Sequence, residues 1–185
     1  SDRRHGPFDG HPRRRLSRVR INQLLRGRTS PPGCDTEGAT MAKGKKYLDA
    51  LKNEMDITMS RLGVTRIKAR SILLGGGTPT DLTPKQLTYF LEYFTERVDL
   101  SRMQQFNYDV DPITLVGPDG IERLKIMRDY GVDRQTLGIQ SFDDAILKKM
   151  NRSHDRVVAL ESIRNCLDLG YQVNIEFIYG YPGQT

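Results

Sequence analysis

The chain has 185 residues, of which 37% are hydrophobic and 28% charged, enough for one soluble domain or for part of a larger barrel. No run approaches the roughly 18 apolar residues of a membrane span, and the two cysteines, Cys34 and Cys166, are too few for a disulfide framework, so we expect a cytoplasmic protein without a membrane span. The net charge of +6 comes from residues 1–34, which contain nine Arg, two Asp and no Lys. The remainder offers no basic stripe, so we expect no nucleic-acid partner.

The first 40 residues are rich in Arg, Pro and Gly and have almost no hydrophobic periodicity. Such a composition predicts a disordered tail. We therefore divide the chain into an Arg/Pro/Gly-rich tail, residues 1–40, and a folded part, residues 41–185.

The folded part begins with a predicted helix over residues 43–62, which ends at Gly63. Its apolar residues recur at steps of three and four: Tyr47, Leu48, Leu51, Met55, Met59 and Leu62. A short apolar run over residues 71–74 (SILL) then predicts a buried strand that opens into the glycine-rich turn GGGTPT. A helix follows over residues 81–98, because Thr83 can cap it and Gln86 can complete a capping box.

Further helices and strands alternate to the end of the sequence. Alternating aromatic and polar residues predict a strand over 105–110, followed by a helix over 118–130 that ends at Gly131. We then predict a strand over 135–140, a helix over 141–150 capped by Ser141 with Asp144, a helix over 155–169 and a strand over 172–179. The helix over 155–169 should turn four apolar residues inward, namely Val157, Leu160, Ile163 and Leu167.

Strands that recur roughly every 30 to 38 residues between helices predict a parallel α/β sheet, either doubly wound or closed as a barrel. Four predicted strand ends carry groups able to bind a ligand: the loop 75–78, Asp109, Gln140 and Glu176. In a barrel these ends meet at one rim, which predicts a single site. Two alternatives remain: each polar residue caps its own strand, or the glycines bind a dinucleotide, although G-x-G-x-x-G does not fit GGGTPT.

Five segments together are similar to the radical S-adenosylmethionine (SAM) enzymes of the oxygen-independent coproporphyrinogen III oxidase family, which includes related haem chaperones. In chain order these segments are GGGTPT (75–80), DVDP (109–112), LGIQSFD (137–143), NRSH (151–154) and IYGYPGQT (178–185). The resemblance runs from about residue 47 to residue 185. It implies a partial (β/α)6 TIM-like barrel that binds SAM beside a [4Fe-4S] cluster.

The resemblance also implies roles for individual residues. Gly76, Gly77 and Thr78 would meet the methionyl amino group of SAM, and Gln140 and Glu176 would bind the ribose and its surroundings. Arg152 would pair with the methionyl carboxylate, which a guanidinium matches with two parallel hydrogen bonds. Asp109 stands where the family usually has Glu, and Glu176 where the oxidases usually have Asp.

Several side chains that could bind or react also have a purely structural interpretation. Arg152 could instead be a solvated charge at a helix end. We expect His154 to be a surface or capping residue and Cys166 an inert core thiol. We expect Tyr108 and Tyr179 to be packing residues.

The iron–sulfur ligands are the largest departure from the family pattern C-x3-C-x2-C. If Cys34 is the third cysteine, the first two fall on Gly27 and Pro31, which cannot ligate iron. We therefore expect the polypeptide as written to lack cluster chemistry, and its sequence to stop before the remaining barrel strands. Whether it is an enzyme stays open.

Three functions follow from the resemblance. The first is a fragment of an oxidase that decarboxylates porphyrinogen propionates in haem biosynthesis, with an electron donor such as flavodoxin or ferredoxin. The second is a haem chaperone of the same family, and the third is a catalytically dead, truncated paralogue. The small-molecule substrate would be a porphyrinogen or haem.

Overall fold

The computed structural model describes the backbone of residues 36–76 and 79–184, and side chains from residue 44 onward. Most of the predicted tail lies outside this description, as do Cys34, Gly77 and Thr78. None of the helices in the described ranges combines the length and the apolar composition that crossing a bilayer requires.

Helices and strands alternate along the described chain. The helices are α1 (Thr36–Leu62), α2 (Pro84–Arg97), α3 (Gly117–Asp129), α4 (Asp144–Lys149) and α5 (Arg156–Asp168). The strands are β1 (Ile67–Lys68), β2 (Ser71–Leu74), β3 (Val98–Asp99), β4 (Gln105–Val110), β5 (Arg134–Gln140) and β6 (Gln172–Phe177). The predicted bounds of β2 and β4 are confirmed without change. Helix α1 begins seven residues before the predicted start, inside the segment assigned to the tail.

The main sheet contains β2, β4, β5 and β6 in that spatial order, and every neighbouring pair is parallel. Because the spatial order follows the sequence order, the described sheet has no point at which the winding direction reverses. A dinucleotide-binding doubly wound sheet requires such a reversal. The observed order is the one that a barrel uses, and it confirms the predicted α/β class with a partial barrel.

The two faces of this sheet differ in chemistry. The face covered by helices is apolar and contributes Ile72, Leu74, Phe106, Tyr108, Val110, Leu137 and Ile139 to one buried cluster. Successive side chains on a strand point to opposite faces, so the other face carries the alternate residues, among them Asn107, Asp109 and Thr136. We call this polar side the inner face. Tyr108 is 1% exposed on the apolar face, which confirms it as a packing residue.

The start of α2 is fixed by the capping box that the sequence predicts. Thr83 accepts a hydrogen bond from the backbone N–H of Gln86, and the Gln86 side chain accepts one from the backbone N–H of Thr83. Nζ of Lys52 on α1 lies 4.2 Å from the ring centre of Tyr89 and 4.6 Å from that of Tyr93, both on α2. These cation–π contacts join α1 to α2.

Thr83→Ala is expected to lower the free energy of unfolding by about 1 kcal/mol, because a helix N–H loses its acceptor. Urea unfolding followed by circular dichroism measures this change. Thr83→Ser keeps the hydroxyl and serves as the matched control, which should stay close to the unsubstituted chain. Equal midpoints for the Ala and Ser variants would contradict the capping role.

Helix α5 faces the sheet differently from the prediction. Its buried residues are Ala159, Ser162 and Cys166, whereas Val157, Leu160 and Leu167 are 70%, 44% and 56% exposed. The small side chains are the buried ones and the larger apolar ones are exposed to solvent. The inward assignment of these three residues was therefore wrong. Tyr179, after β6, is 93% exposed, so its expected packing role was also wrong.

Two further differences are local. Helix α4 is capped by Asp143, whose carboxylate accepts the N–H groups of Ala145 and Ile146, so the predicted Ser141 cap was wrong. Strands β1 and β3 were not predicted, because neither shows an alternating pattern of apolar residues. They have two residues each and pair with each other in parallel, apart from the main sheet. Such short strands are stabilised by their partner rather than by their own periodicity.

Cys166 is buried, as expected, and burial raises the pKa of its thiol to about 12.

Candidate functional site

The glycine-rich turn after β2 lies directly against Asp109 at the end of β4. Leu74 and Tyr108 are register partners, so Gly75 and Asp109 follow side by side. A β-carbon placed on Gly75 would overlap Oδ2 of Asp109 and lie 2.9 Å from its Cγ. Glycine is therefore required for this approach, and Oδ2 of the carboxylate faces the turn. The next residue, Gly76, has φ of 103°, a conformation that side chains disfavour.

Asp109 shares the inner face with a second carboxylate, Glu176 on β6. Burial raises the pKa of Asp109, the negative charge of Glu176 raises it further, and the hydrogen bond from Asn107 lowers it. Asp109 pairs with Thr136 and Thr136 pairs with Asn174, so Glu176, two residues after Asn174, lies on the same face near the same end of the sheet. Together they create a negative region suited to a cation or to hydroxyl donors.

Gln140 and Arg152 meet at the end of the neighbouring strand, β5. A β-carbon on Gly138 would lie 2.9 Å from Nε2 of Gln140 and 3.1 Å from Nη2 of Arg152. Arg152 also donates from Nη2 to the carbonyl of Gly138 at 2.8 Å, while its buried Nε has no hydrogen-bond partner among the described residues. The guanidinium is thus held in place and keeps a donor for a further acceptor. It is not the solvated charge of the alternative interpretation.

The backbone of Gln140 adopts φ of 67°, which is uncommon for a residue with a side chain. Its carbonyl accepts the N–H of Ile178, which ties the ends of β5 and β6 together. This local geometry redirects the chain at the strand end and carries the Gln140 side chain toward Gly138.

His154 is buried rather than at the surface, so the expectation of a surface or capping residue was wrong. The residue is 4% exposed, and its Nε2 lies 3.0 Å from the carbonyl oxygen of Ile139. Its Nδ1 lies 3.7 Å from Asp111, beyond hydrogen-bonding distance. His154 and Arg152 therefore hold two successive carbonyls of β5, those of Ile139 and Gly138, and fix the strand end that presents Gln140.

The residues after the glycine turn are anchored as well. The hydroxyl of Tyr108 donates to the carbonyl of Pro79 at 3.4 Å, and Thr114 donates to Thr80 at 2.6 Å. Contacts therefore fix the chain on both sides of Gly77 and Thr78, whose own positions are not described.

An open cavity of about 330 Å³ adjoins Arg152 on the side of α4 and α5. Its lining combines carboxylates with cationic and amide groups, among them Asp144, Lys148, Asn151 and Asp155. Apart from Arg152, none of the predicted ligand-binding residues lines this cavity, so it lies beside the candidate site and not within it.

The structure thus places Asp109 against the glycine turn, and both Gln140 and Arg152 near Gly138, whereas Glu176 lies on the same face near the end of β6, two strands away from Asp109. Sequence reasoning missed Gly138 and His154. It also missed Asn107, Thr136 and Asn174, which lie on the inner face next to the predicted residues. Polar residues at every second position of three successive strands were the available signal.

The described residues do not fit an iron–sulfur cluster. Nowhere in the described ranges do three or more His, Cys, Asp or Glu side chains form a group able to hold a metal ion. Cys166 is buried within α5 and cannot serve the rim.

Comparison with known proteins identifies the family of this chain. Residues 34–185 match the family model described as the radical SAM superfamily. Haem chaperone HemW of Lactococcus lactis subsp. lactis is 36% identical over 119 residues, 64% of this chain and 30% of that protein. HemW of Bacillus subtilis is 32% identical over 142 residues, 76% of this chain and 36% of its own length. Oxygen-independent coproporphyrinogen III oxidase of Bradyrhizobium diazoefficiens is 30% identical over 142 residues, 75% of this chain and 30% of the relative.

Among solved structures, coproporphyrinogen III oxidase (HemN) of Escherichia coli matches with a TM-score of 0.64 and 27% identity. The match covers 77% of this chain and 32% of the oxidase. The chain therefore spans about a third of the length of the relatives it matches, and it is homologous to both the chaperones and the oxidases.

Proposed function

Because the chain belongs to the radical SAM superfamily, we propose that the inner face of its sheet, at the carboxyl ends of the strands, binds S-adenosylmethionine. The observation that carries this proposal is the close contact of Gly75 with Asp109. It is supported by the position of Gln140 and Arg152, which both lie close to Gly138. These contacts gather the groups that the ligand needs at adjacent strand ends: backbone turn, carboxylate, amide and guanidinium.

Each group has a complementary part on SAM. The methionyl ammonium would lie between the carboxylate of Asp109 and the turn formed by Gly76, Gly77 and Thr78. The methionyl carboxylate would accept from the guanidinium of Arg152, whose buried Nε has no partner among the described residues, in a charge-assisted bond that is stronger than a neutral one.

The nucleoside part would lie toward β6. Gln140 and Glu176 present an amide and a carboxylate that can bind the ribose hydroxyls. When bound, SAM supplies a sulfonium cation and an adenosyl group to the inner face.

The fit to SAM does not extend to the [4Fe-4S] cluster that the superfamily implies. The sequence has two cysteines, and the described residues offer no metal-binding group. We therefore assign no electron transfer and no decarboxylation to the described residues. An electron donor of the flavodoxin or ferredoxin class remains a prediction that depends on such a cluster, and the third candidate is a catalytically inactive paralogue.

The substrate class that we propose is a porphyrin-type macrocycle, either a porphyrinogen or haem. It is supported by the relatives, whose names are haem chaperone and coproporphyrinogen III oxidase. Haem binding is the second candidate function, because two haem chaperones match at 36% and 32% identity. A cytoplasmic location belongs to the same proposal and is supported by the sparse cysteines.

Isothermal titration with SAM tests the primary proposal. We expect saturable binding by the unsubstituted chain, and Glu176→Gln should weaken it by about tenfold, since a charged hydrogen bond is lost. The matched control is Glu161→Gln, at an exposed position on α5, which should bind as the unsubstituted chain does. Absence of saturable binding would refute the proposal, and so would equal losses in the two variants.

Titration with haem, followed by its absorption band, tests the second candidate separately. A saturable spectral change at stoichiometric haem is the expected result for a chaperone. Haem that stays spectrally free in the presence of the protein would remove this candidate and leave the SAM proposal intact.

A further inference from the structure

Strands β4, β5 and β6 place three uncharged polar side chains next to Asp109 on the inner face: Asn107, Thr136 and Asn174. In the register of the sheet, Asp109 pairs with Thr136, and Thr136 pairs with Asn174. Asn107 precedes Asp109 by two residues and therefore shares its face. Asn107 and Thr136 are 4% and 8% exposed, so their polar atoms need partners within the protein.

These side chains form one continuous chain of hydrogen bonds. Nδ2 of Asn174 donates to Oγ1 of Thr136 at 3.4 Å, and that hydroxyl donates to Oδ1 of Asn107 at 2.9 Å. Nδ2 of Asn107 then donates to Oδ1 of Asp109 at 3.2 Å. The direction of the chain is therefore from β6 through β5 to the carboxylate on β4.

The hydroxyl of Thr136 decides which way the Asn107 amide faces. Because the hydroxyl donates to the amide oxygen, the amide nitrogen turns to Asp109 and offers an N–H to the carboxylate. Oδ1 of Asp109 is occupied by this bond, while Oδ2 faces the glycine turn at Gly75.

We propose that Asn107, Thr136 and Asn174 are positioning residues that hold the Asp109 carboxylate with Oδ2 directed at the ligand's ammonium group. This role rests on the SAM site proposed above. The three residues act through Asp109 and need no contact with the ligand.

The electrostatics of the inner face agree with this role. Burial and the charge of Glu176 both raise the pKa of Asp109, whereas the bond from Asn107 lowers it. Thr136 and Asn174 carry no charge, and the charged residues that β5 and β6 place on the inner face are Arg134, which pairs with Asn107, and Glu176. The hydrogen-bond chain thus opposes the upward shift in the pKa of Asp109, in the direction that favours the carboxylate form that an ammonium group recognises.

Thr136→Val is the decisive variant, because it preserves the shape of the side chain and removes the hydroxyl. A pH titration of the Asp109 carboxyl carbon by NMR, with no ligand present, should show its midpoint shifted upward. Affinity for SAM should fall about tenfold at neutral pH. Thr136→Ser retains the hydroxyl and should restore both values.

Thr88→Val, on α2, is the control for a Thr-to-Val change away from the site, since among the described residues the Thr88 hydroxyl donates within its own helix, to the carbonyl of Pro84. It should leave both the midpoint and the affinity unchanged.

The positioning role is overturned if Thr136→Val lowers stability while Asp109 titrates as before, because Thr136 would then be merely structural. It is also overturned if Thr136→Ser fails to restore the midpoint. If the unsubstituted chain does not bind SAM, the ligand site proposed above fails, yet the ligand-free titration still decides whether the three residues control Asp109.

Discussion

Gly120→Ala is expected to lower the free energy of unfolding by about 2 kcal/mol or more, because the added methyl group meets backbone atoms. A β-carbon on Gly120 would overlap the backbone carbonyl carbon of Leu115 and lie 2.8 Å from its oxygen. Backbone atoms cannot move aside as the end of a side chain can, so the turn that leads into α3 must open.

Two opposing effects decide the sign of this change. Alanine favours a helix over glycine by about 1 kcal/mol, which would stabilise α3 at an open position. At Gly120 the clash outweighs this gain, because Leu115 is fully buried and its carbonyl accepts a hydrogen bond from Asn165 of α5 at 3.0 Å. A shift of Leu115 therefore disturbs both the core and the contact with α5.

Urea unfolding by circular dichroism and fluorescence measures the loss, provided that the slope with denaturant is unchanged. Asn165→Ala is the companion variant, because it removes the hydrogen bond to Leu115 without adding a methyl group. Its loss should be the smaller of the two. Equal or greater stability of Gly120→Ala would show that the turn adapts to the methyl group.

The elements that the sequence predicted best are those with signals at both ends. Strand β2 lies between charged residues and the glycine turn, and α2 begins at a complete capping box, so local chemistry determines their bounds. Strands β1 and β3 have no such signals. Each consists of two residues, and only the pairing between Ile67 and Val98 makes them strands.

The face of α5 shows why periodicity alone can mislead. The sequence places Val157, Leu160 and Leu167 on one apolar stripe, and apolar stripes usually face the core. Here the small residues Ala159 and Cys166 are fully buried, whereas Val157, Leu160 and Leu167 are exposed. Which face a helix buries is a tertiary property that the pattern does not contain.

At the candidate site, the strand-end residues could be predicted because parallel strands carry their carboxyl ends to one rim. The hydrogen-bond chain behind them could not, because Asn107, Thr136 and Asn174 belong to three strands. Only the register shows that they are neighbours. A change of one residue in that register would turn each side chain to the opposite face.

Gly75→Ala is expected to weaken SAM binding by about tenfold to hundredfold, because it displaces the Asp109 carboxylate. The added methyl group would occupy the space of the Asp109 carboxylate, which must rotate away from the turn. The ligand then loses a charge-assisted hydrogen bond worth about 1.5–3 kcal/mol, and each 1.4 kcal/mol is about tenfold in affinity.

A double-mutant cycle with Asp109→Ala shows whether the methyl group acts through that carboxylate. If it does, the double variant should bind SAM no more weakly than Asp109→Ala alone, because the overlapping group has been removed. Ser71→Ala, at the exposed start of the same strand, is the control and should bind normally. Losses that simply add in the double variant would mean that Gly75 acts on the ligand independently of Asp109, and the paired arrangement of turn and carboxylate would have to be abandoned.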